Sequence, residues 1–263
     1  MLGALVPKAT TKRTDLKQAL LRELKRTGSK QRAAKQQAYM KSELPFAGVA
    51  APELRAIQKI VFAQHPLASQ AEWKNEVLSL FRNPPVRELR YVAIELAFHK
   101  PYRVWLTTNV WDMLDELVTT GAWWDVVDAL APNHYAYLLK NEPKTTRPRL
   151  RSYARDTNLW RRRVAILCQI KTKADTDERL LFGNISASLD HEDFFVRKAI
   201  GWALRAHSRV NPEAVVDYVK TQEDRLSPLS KREALKVLKK KSTYQDRPPG
   251  IVRLCVNQHG ANA

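Results

Sequence analysis

Apolar residues recur at helical spacing along nearly the whole chain, and no stretch of any length shows the alternation typical of a β-strand. The amphipathic segments are about 11 to 16 residues long and end at short breaks containing Pro, Gly, Asn or Asp. A helix that includes residues 123–128 is expected to end near Pro132. The spacing predicts further helices over residues 11–26, 30–43, 52–63, 70–81, 86–99, 103–119, 144–155, 158–171, 175–189, 193–208, 212–220 and 230–240.

This order of helices favours a stacked solenoid over a single helical bundle. The helix pairs recur at roughly 35 to 45 residues, within the range of HEAT-type repeats, although strict internal sequence identity is absent. We therefore predict an all-α superhelix of HEAT-like repeats in one domain, residues 1–241, curved so that its concave face is basic. Residues 242–263 contain Pro248 and Pro249 and are expected to form a loosely ordered tail.

The chain carries 45 basic and 27 acidic residues, a formal charge of +18, so a polyanionic partner is expected. The charge is clustered: residues 8–35 hold ten basic and two acidic residues, 144–173 ten and one, and 231–241 six and one. Any one cluster could be a solvated helix face, and a ribosomal or membrane-surface role fits the charge alone equally well. Three clusters around one acidic segment favour nucleic acid, whose phosphates such clusters contact without reading the base sequence.

That acidic segment, residues 104–139, contains no Lys or Arg and centres on the motif WWDVVD at 123–128. On a helix, Trp123 falls on the apolar stripe and is expected to pack inside the solenoid. Trp124 and Asp128 lie off that stripe, one turn apart, so a tryptophan stands beside a carboxylate away from the buried face. This placement is the feature of the segment that calls for an explanation.

Two further helices hold charged or aromatic residues in unusual positions. In NLWRRRVAI at 158–166, Arg163 falls within the apolar stripe, so it needs a carboxylate or phosphate partner; a structural ion pair is the simpler interpretation. In FFVRKAIGWALR at 194–205, Lys198, Trp202 and Arg205 share one face at i, i+4 and i+7. Packing alone can explain one such tryptophan, whereas two beside charged residues favour a shared site.

These three motifs, in this order, resemble the bacterial AlkD-type DNA alkylation repair glycosylases. PLSKREA at 228–234, AYMK at 38–41 and FAGV at 46–49 are also similar, so the resemblance covers about residues 15–240. It implies a solenoid that wraps duplex DNA and hydrolyses the N-glycosidic bond of cationic N3- and N7-alkylpurines, leaving an abasic site. Glycosylases generally flip the base into a pocket, whereas this type is described as acting without enclosing the lesion.

By position, the resemblance makes Trp124, Asp128 and Trp202 the catalytic residues and Arg163 a DNA-contacting arginine. An alkylated purine is already a cationic leaving group and needs no general acid. Asp128 could stabilise the positive sugar and orient or deprotonate the attacking water, and the tryptophan faces could hold the charged nucleotide. The resemblance therefore implies that Trp124 faces the substrate with Asp128, and the lack of Lys and Arg in residues 104–139 agrees with it, because a nearby cation would oppose that positive charge.

Further DNA contacts are expected from Lys198, Arg205, Arg162 and Tyr39. Arg161 and Arg162 are more basic than the family pattern requires, which should strengthen phosphate binding. Ala50 and Ala51 stand where some members of the family have a polar residue, which weakens the case for N-terminal contacts.

Two other functions remain open: a solenoid that binds damaged or branched DNA without cleaving it, and a protein-binding HEAT scaffold. Nothing in the sequence indicates a metal site, a cofactor or a Schiff-base lysine, and His134 is expected to pack near a helix end. Cys168 and Cys255 match no ligand spacing, which suggests free thiols in a reducing compartment. No signal peptide or membrane span is evident. We expect a cytoplasmic bacterial monomer, associated with the nucleoid when it is bound to DNA.

Overall fold

A computed structural model describes residues 15–238 of the 263-residue chain. Within that range every regular element is a helix and no strand is present. The α-helices are α1 (Leu16–Thr27), α2 (Lys30–Met40), α3 (Ala51–Gln64), α4 (Gln70–Phe81), α5 (Glu88–Ala97), α6 (Trp111–Gly121), α7 (Trp124–Leu130), α8 (Ala136–Asn141), α9 (Pro143–Tyr153), α10 (Leu159–Leu167), α11 (Glu178–Ser186), α12 (Phe194–His207), α13 (Pro212–Thr221) and α14 (Pro228–Ala234). The predicted tail at 242–263 and the ends of the 11–26 and 230–240 segments lie outside the described residues.

The helices stack in two rows, as expected for an α-α superhelical solenoid. In one row α5, α7, α10, α12 and α14 each pack against the next, and behind them α4 packs on α6 and α9 on α11. Cross-row contacts such as α4 with α5, α6 with α7 and α9 with α10 complete the repeats. The predicted all-α solenoid is confirmed, and its continuous apolar core runs between the two rows. No helix in the described range is long and apolar enough to cross a membrane.

Many of the helices begin directly after a short polar residue whose side chain caps the first turn. Each of these side chains accepts a hydrogen bond from a backbone N–H of the first turn, which would otherwise lack a partner. The capping residues are Asp15, Ser29, Ser69, Asn158, Asp177, Asp193, Asn211 and Ser227. Because capping is local, most predicted starts lie within a few residues of the observed ones.

The prediction of one helix over residues 103–119 was wrong: two short 3₁₀ segments, Lys100–Trp105 and Thr108–Val110, precede α6. The break lies where the Thr108 backbone N–H, at 3.2 Å, and its hydroxyl, at 2.5 Å, both donate to the Glu142 carboxylate. This partner is 34 residues away, so helical periodicity could not reveal it.

The α-helix of the tryptophan–aspartate motif ends at Leu130, near Pro132 as predicted. The chain then forms a π-turn, Ala131–Tyr135, and continues as α8. Proline lacks an N–H and crowds the preceding turn of a regular helix, and the wider turn relieves that conflict. The Asn133 side-chain amide donates to the Ala129 carbonyl oxygen at 2.7 Å, which gives that carbonyl a partner at the distorted turn.

The loop between α2 and α3 is fixed by a buried carboxylate. Glu88, only 1% exposed, accepts hydrogen bonds from the backbone N–H groups of residues 47 to 49 at 2.9 to 3.3 Å. Gly48 has φ 82°, and a Cβ there would lie 2.0 Å from the Ser29 carbonyl oxygen, so only glycine fits. This anchor holds α2, which carries Tyr39, against the start of α5.

Candidate active site

Asp128 on α7 and Arg163 on α10 form a two-point ion pair. Arg163 Nε lies 2.8 Å from Asp128 Oδ1, and Nη2 lies 2.8 Å from Oδ2. The arginine side chain is 4% exposed and the aspartate side chain 18% exposed, so the pair lies at the edge of the core with the carboxylate toward solvent. The prediction that Arg163 turns inward and needs an anionic partner is confirmed, and that partner is Asp128.

The third donor of the Arg163 guanidinium joins a further helix to the pair. Nη1 donates to the backbone carbonyl oxygen of Phe195, in the first turn of α12, at 2.5 Å. One side chain thus holds α7, α10 and α12 in register at the carboxylate. Three of the five N–H groups of Arg163 have protein partners in this arrangement, and the side chain is 4% exposed, so little of the guanidinium is open to a phosphate.

Burial and Arg163 act on the pKa of Asp128 in opposite directions. Removal from water raises the pKa, the Arg163 hydrogen bonds and charge lower it, and nearby Asp125 raises it again, so the net direction is upward. Each carboxylate oxygen has two lone pairs, and Arg163 occupies one on each. Asp128 therefore keeps acceptor capacity for a water molecule or a developing positive charge.

Trp124 begins α7, one turn before Asp128, with a half-buried ring. Tyr39 of α2 meets that ring edge-on, with centroids 6.3 Å apart and an interplanar angle of 90°. Tyr39 itself is 75% exposed, which is unusual for so large an aromatic side chain. The structure thus brings Tyr39, Trp124 and Asp128 into one neighbourhood from segments 85 residues apart in the chain (124 minus 39).

Trp123 packs inward, as predicted, but it precedes α7 instead of belonging to its apolar stripe. Its backbone is extended, with φ −150° at the N-cap position. Its ring contacts Trp160 at 6.2 Å and Phe195 at 5.4 Å between centroids. The adjacent tryptophans therefore point apart because the helix starts between them.

Trp202 lies on α12 with Lys198 and Arg205, and a carboxylate from α14 serves both cations. Lys198 Nζ lies 2.8 Å from Glu233 Oε1, and Arg205 pairs with Oε2. Glu233 was not predicted from the sequence. It approaches because Gly201 lets α14 pack closely: a Cβ at Gly201 would lie 2.6 Å from the Glu233 Cβ. One carboxylate leaves one positive charge in excess beside Trp202.

Trp202 is placed relative to the ion pair by α12. It follows Phe195 by seven residues, so it lies on the same face about 10 Å farther along the helix axis. The described structure therefore pairs Asp128 with Arg163, places Trp124 one turn before Asp128 on α7, and carries Trp202 on the neighbouring α12.

Arg162 is not available as predicted for phosphate binding. Its guanidinium donates to the carbonyl oxygens of Asp156 at 2.5 Å, Ala154 at 3.2 Å, Ala187 at 3.0 Å and Arg155 at 3.3 Å. These carbonyls lie after α9 and at the end of α11, where helices leave acceptors unpaired. Arg162 therefore joins two helix ends.

Arg161 is also occupied by protein partners. It forms a two-point pair with Asp115 at 2.8 and 2.6 Å, and Asp156 lies 3.2 Å from its Nη1. The expectation that Arg161 and Arg162 strengthen phosphate binding therefore needs correction, because both guanidinium groups already serve internal acceptors.

Residues 104–139 contain no Lys or Arg, but the fold brings basic side chains against the motif from elsewhere in the chain. Besides Arg163, the fold brings Arg87 of the α4–α5 turn against Asp125, with Nη2 2.9 Å from Oδ1 and Nε 3.2 Å from Oδ2. Tyr91 also donates to Asp125 Oδ2 at 2.6 Å, and burial raises the Tyr91 pKa. The two aspartates of the motif therefore differ: Asp125 is enclosed by its partners, and Asp128 faces outward.

No group of His, Cys, Asp and Glu in residues 15–238 could hold a metal ion. His134 is buried, 1% exposed, with its ring 4.9 Å from that of Phe98, as expected of a packing residue. A recess of about 660 Å³ lies between α8, α9 and the end of α10, lined by Phe98, Tyr137 and Arg147 among others, and none of the predicted site residues lines it.

The sequence matches the family model for DNA alkylation repair enzymes over residues 20–238. Among solved structures, it is similar to a predicted DNA alkylation repair enzyme from Enterococcus faecalis, with 34% sequence identity and a TM-score of 0.72. That alignment covers 81% of this chain and 97% of the other. A search of curated proteins found no match.

Proposed function

The chain belongs to the DNA alkylation repair enzyme family, and from that premise we propose that it is a monofunctional DNA glycosylase. Family membership places it in alkylation repair in the broad sense, with DNA as the molecule it acts on. The proposed reaction is hydrolysis of the N-glycosidic bond of cationic N3- or N7-alkylated purines in duplex DNA. Its products are the free base and an abasic site.

The observation that carries this proposal is the outward-facing Asp128 carboxylate beside the Trp124 ring. An alkylated purine leaves as a neutral base, so the enzyme needs no acid to protonate it. Positive charge instead moves onto the deoxyribose as the bond breaks, and a fixed carboxylate lowers the energy of that state. The lone pairs that Arg163 leaves free on Asp128 can also orient or deprotonate the attacking water.

Arg163 acts in this proposal as a positioning residue, because its three nitrogens hold Asp128 and the Phe195 carbonyl. It fixes the direction of the carboxylate and favours its ionised form. A DNA phosphate contact by Arg163, as the family resemblance implies, would use the two N–H groups that these partners leave free and would require the buried side chain to become more accessible.

Trp124 and Trp202 would contribute through their ring faces. A cation over a tryptophan face gains roughly 0.5–2 kcal/mol, and more when water is excluded. Trp124 is next to Asp128, and Trp202 approaches from α12 with one excess positive charge beside it. We propose that Trp124 faces the charged nucleotide, while Lys198 and Arg205 direct their excess charge to a phosphate of the same strand.

Duplex DNA is the proposed partner, held by a basic concave face to which Tyr39 contributes an exposed ring. The proposed unit is a cytoplasmic monomer, associated with the nucleoid when bound. The rival function is a solenoid that binds damaged or branched DNA without cleaving it. That rival needs basic faces but no outward carboxylate beside a tryptophan, so Asp128 separates the two.

The test is to incubate the purified protein with methylated duplex DNA and measure free 7-methylguanine and 3-methyladenine. We expect release well above the spontaneous rate, reduced to that rate in Asp128→Asn while DNA binding is retained. Asp112→Asn is the matched control, because Asp112 is an exposed aspartate on α6. DNA binding without base release by the wild-type protein would support the non-catalytic rival.

A further inference from the structure

Arg90 on α5 has an unusual environment for an arginine. Its guanidinium carbon lies 5.1 Å from the centroid of the Phe81 ring, which covers one face of the group. Its Nε is fully buried and has no hydrogen-bond partner among residues 15–238. A buried N–H without a hydrogen-bond partner costs free energy, so the Arg90 side chain lowers the stability of the protein when no ligand is bound.

The two buried arginines of the described residues both have carboxylate partners, unlike Arg90. Arg87 and Arg163 each hold an aspartate by two N–H groups. No carboxylate in the same range pairs with Arg90. Burial and the nearby charge of Arg87 lower the Arg90 pKa, and Asp125 only partly opposes them. Arg90 is thus a partly desolvated cation that has no counter-ion among residues 15–238.

Arg90 borders the segment that carries the candidate active site. Its neighbours on α5, Arg87 and Tyr91, both bind Asp125, which directly follows Trp124. The Phe81 ring on its other side lies under the turn before α7, since a Cβ at Gly121 would be 2.9 Å from Phe81 Cζ. Arg90 therefore stands on the α4–α5 side of α7, whereas Arg163 stands on the α10 side.

We propose that Arg90 binds a backbone phosphate of the DNA duplex next to the nucleotide held at Trp124 and Asp128. This inference rests on the proposed function. A phosphodiester supplies the missing anion, and its oxygens suit the terminal N–H groups of this half-buried guanidinium, since the enclosed Nε lies out of reach of DNA. With one face on Phe81, the guanidinium is held flat and can meet a phosphate with little loss of side-chain freedom.

The proposal predicts opposite effects on binding and on stability. Arg90→Met keeps an unbranched apolar side chain over Phe81 and removes the unpaired cation. We expect affinity for undamaged duplex DNA to fall about 10-fold. The slope of log K against log salt should fall in magnitude by about 0.9, the contribution of one phosphate contact. The thermal unfolding midpoint should stay unchanged or rise.

Arg103→Met is the matched control, because Arg103 also stacks on a ring, 4.3 Å from the Phe98 centroid, but donates to the Phe98 carbonyl oxygen. It removes the same charge and should leave the salt slope unchanged. Arg90→Lys should retain most of the slope, and it keeps the test decisive if Arg90→Met folds poorly.

An unchanged salt slope in Arg90→Met, or a lower unfolding midpoint with unchanged affinity, would overturn the proposal and make Arg90 a structural residue. Inorganic phosphate that stabilises the wild type but not Arg90→Met, with duplex affinity unaffected, would overturn it in favour of a free-anion site. Base release by the wild type with an unaltered Arg90→Met slope would leave the proposed function standing. A wild type that neither binds duplex DNA nor releases bases would overturn both.

Discussion

Arg163 holds both carboxylate oxygens of Asp128 at 2.8 Å and, through its remaining terminal nitrogen, the Phe195 carbonyl oxygen at 2.5 Å. The carboxylate is thus fixed from one side by a guanidinium that is itself fixed to a third helix. A carboxylate that must act on a transient positive charge gains from such rigidity, because it need not reorganise as the charge develops. The arrangement also sets the protonation behaviour of Asp128.

The first prediction concerns the acid side of the pH profile of base release. The ionised form of Asp128 is the active one, so activity should fall as pH drops through its pKa. Arg163→Met removes the influences that lower this pKa and leaves burial, which raises it. We expect the acid limb of the profile to move to higher pH, with lower maximal activity.

The control is Arg161→Met, because Arg161 lies on the same helix but pairs with Asp115. An acid limb at the wild-type position in Arg163→Met would contradict the proposed role, and the salt slope of the same variant reports any phosphate contact.

The second prediction assigns a structural role to the other aspartate of the motif. Arg87 and Asp125 are 6% and 10% exposed at their side chains, so removing one leaves the other buried and unpaired. Arg87→Met should lower the free energy of unfolding in urea by about 3 kcal/mol. The double variant Arg87→Met/Asp125→Leu should recover part of that loss, because no unpaired charge remains. A double variant less stable than the single one would argue against this explanation.

Sequence periodicity predicted the inward side chains well. Arg163 was placed in the apolar stripe of its helix, and Trp123 and Trp124 were assigned opposite roles, because each inference depends only on spacing within one segment. The boundary of α4 was also predicted as observed, since Ser69 provides a local cap. Which segments form helices, and which of their side chains face the core, depends on local residue spacing and can be predicted from the sequence.

The partners of those side chains could not be predicted in the same way. Glu233 meets Lys198 and Arg205 from 35 and 28 residues away, and Arg87 reaches Asp125 across 38. Periodicity says which face a residue occupies but not which residue of another helix lies opposite. Residues 104–139 contain no Lys or Arg, so the sequence of this segment does not show that cations from α10 and from the start of α5 lie against it.

The third prediction concerns Arg162, which was expected from the sequence to bind phosphate. Arg162→Met should leave the carbonyl oxygens of Asp156, after α9, and Ala187, at the end of α11, without their side-chain donor, whereas Ala154 keeps the Ser188 hydroxyl. We expect a loss of about 1–3 kcal/mol in the free energy of unfolding, the cost of leaving partly buried acceptors unpaired. The salt dependence of DNA binding, measured on the folded variant, should be unchanged. A slope reduced by about 0.9 with wild-type stability would restore the phosphate role.

The fourth prediction concerns His134, which is buried at the π-turn with Nε2 3.0 Å from the Ile94 carbonyl oxygen. Burial lowers the pKa of His134 to about 4, against an ordinary value of 6.5. Between these two values the unfolded chain binds a proton that the folded chain does not, so stability is lost as the pH falls through this window. A shift of this size corresponds to about 3 kcal/mol by the time the pH reaches the folded-state pKa.

The variant His134→Gln keeps a side-chain donor for Ile94 but does not titrate, so the free energy of unfolding of this variant should fall less between pH 6.5 and 4. Parallel urea titrations of both proteins measure the difference, because carboxylate protonation affects them equally. Equal losses in the two proteins would show that His134 is protonated in the folded state as readily as in the unfolded chain.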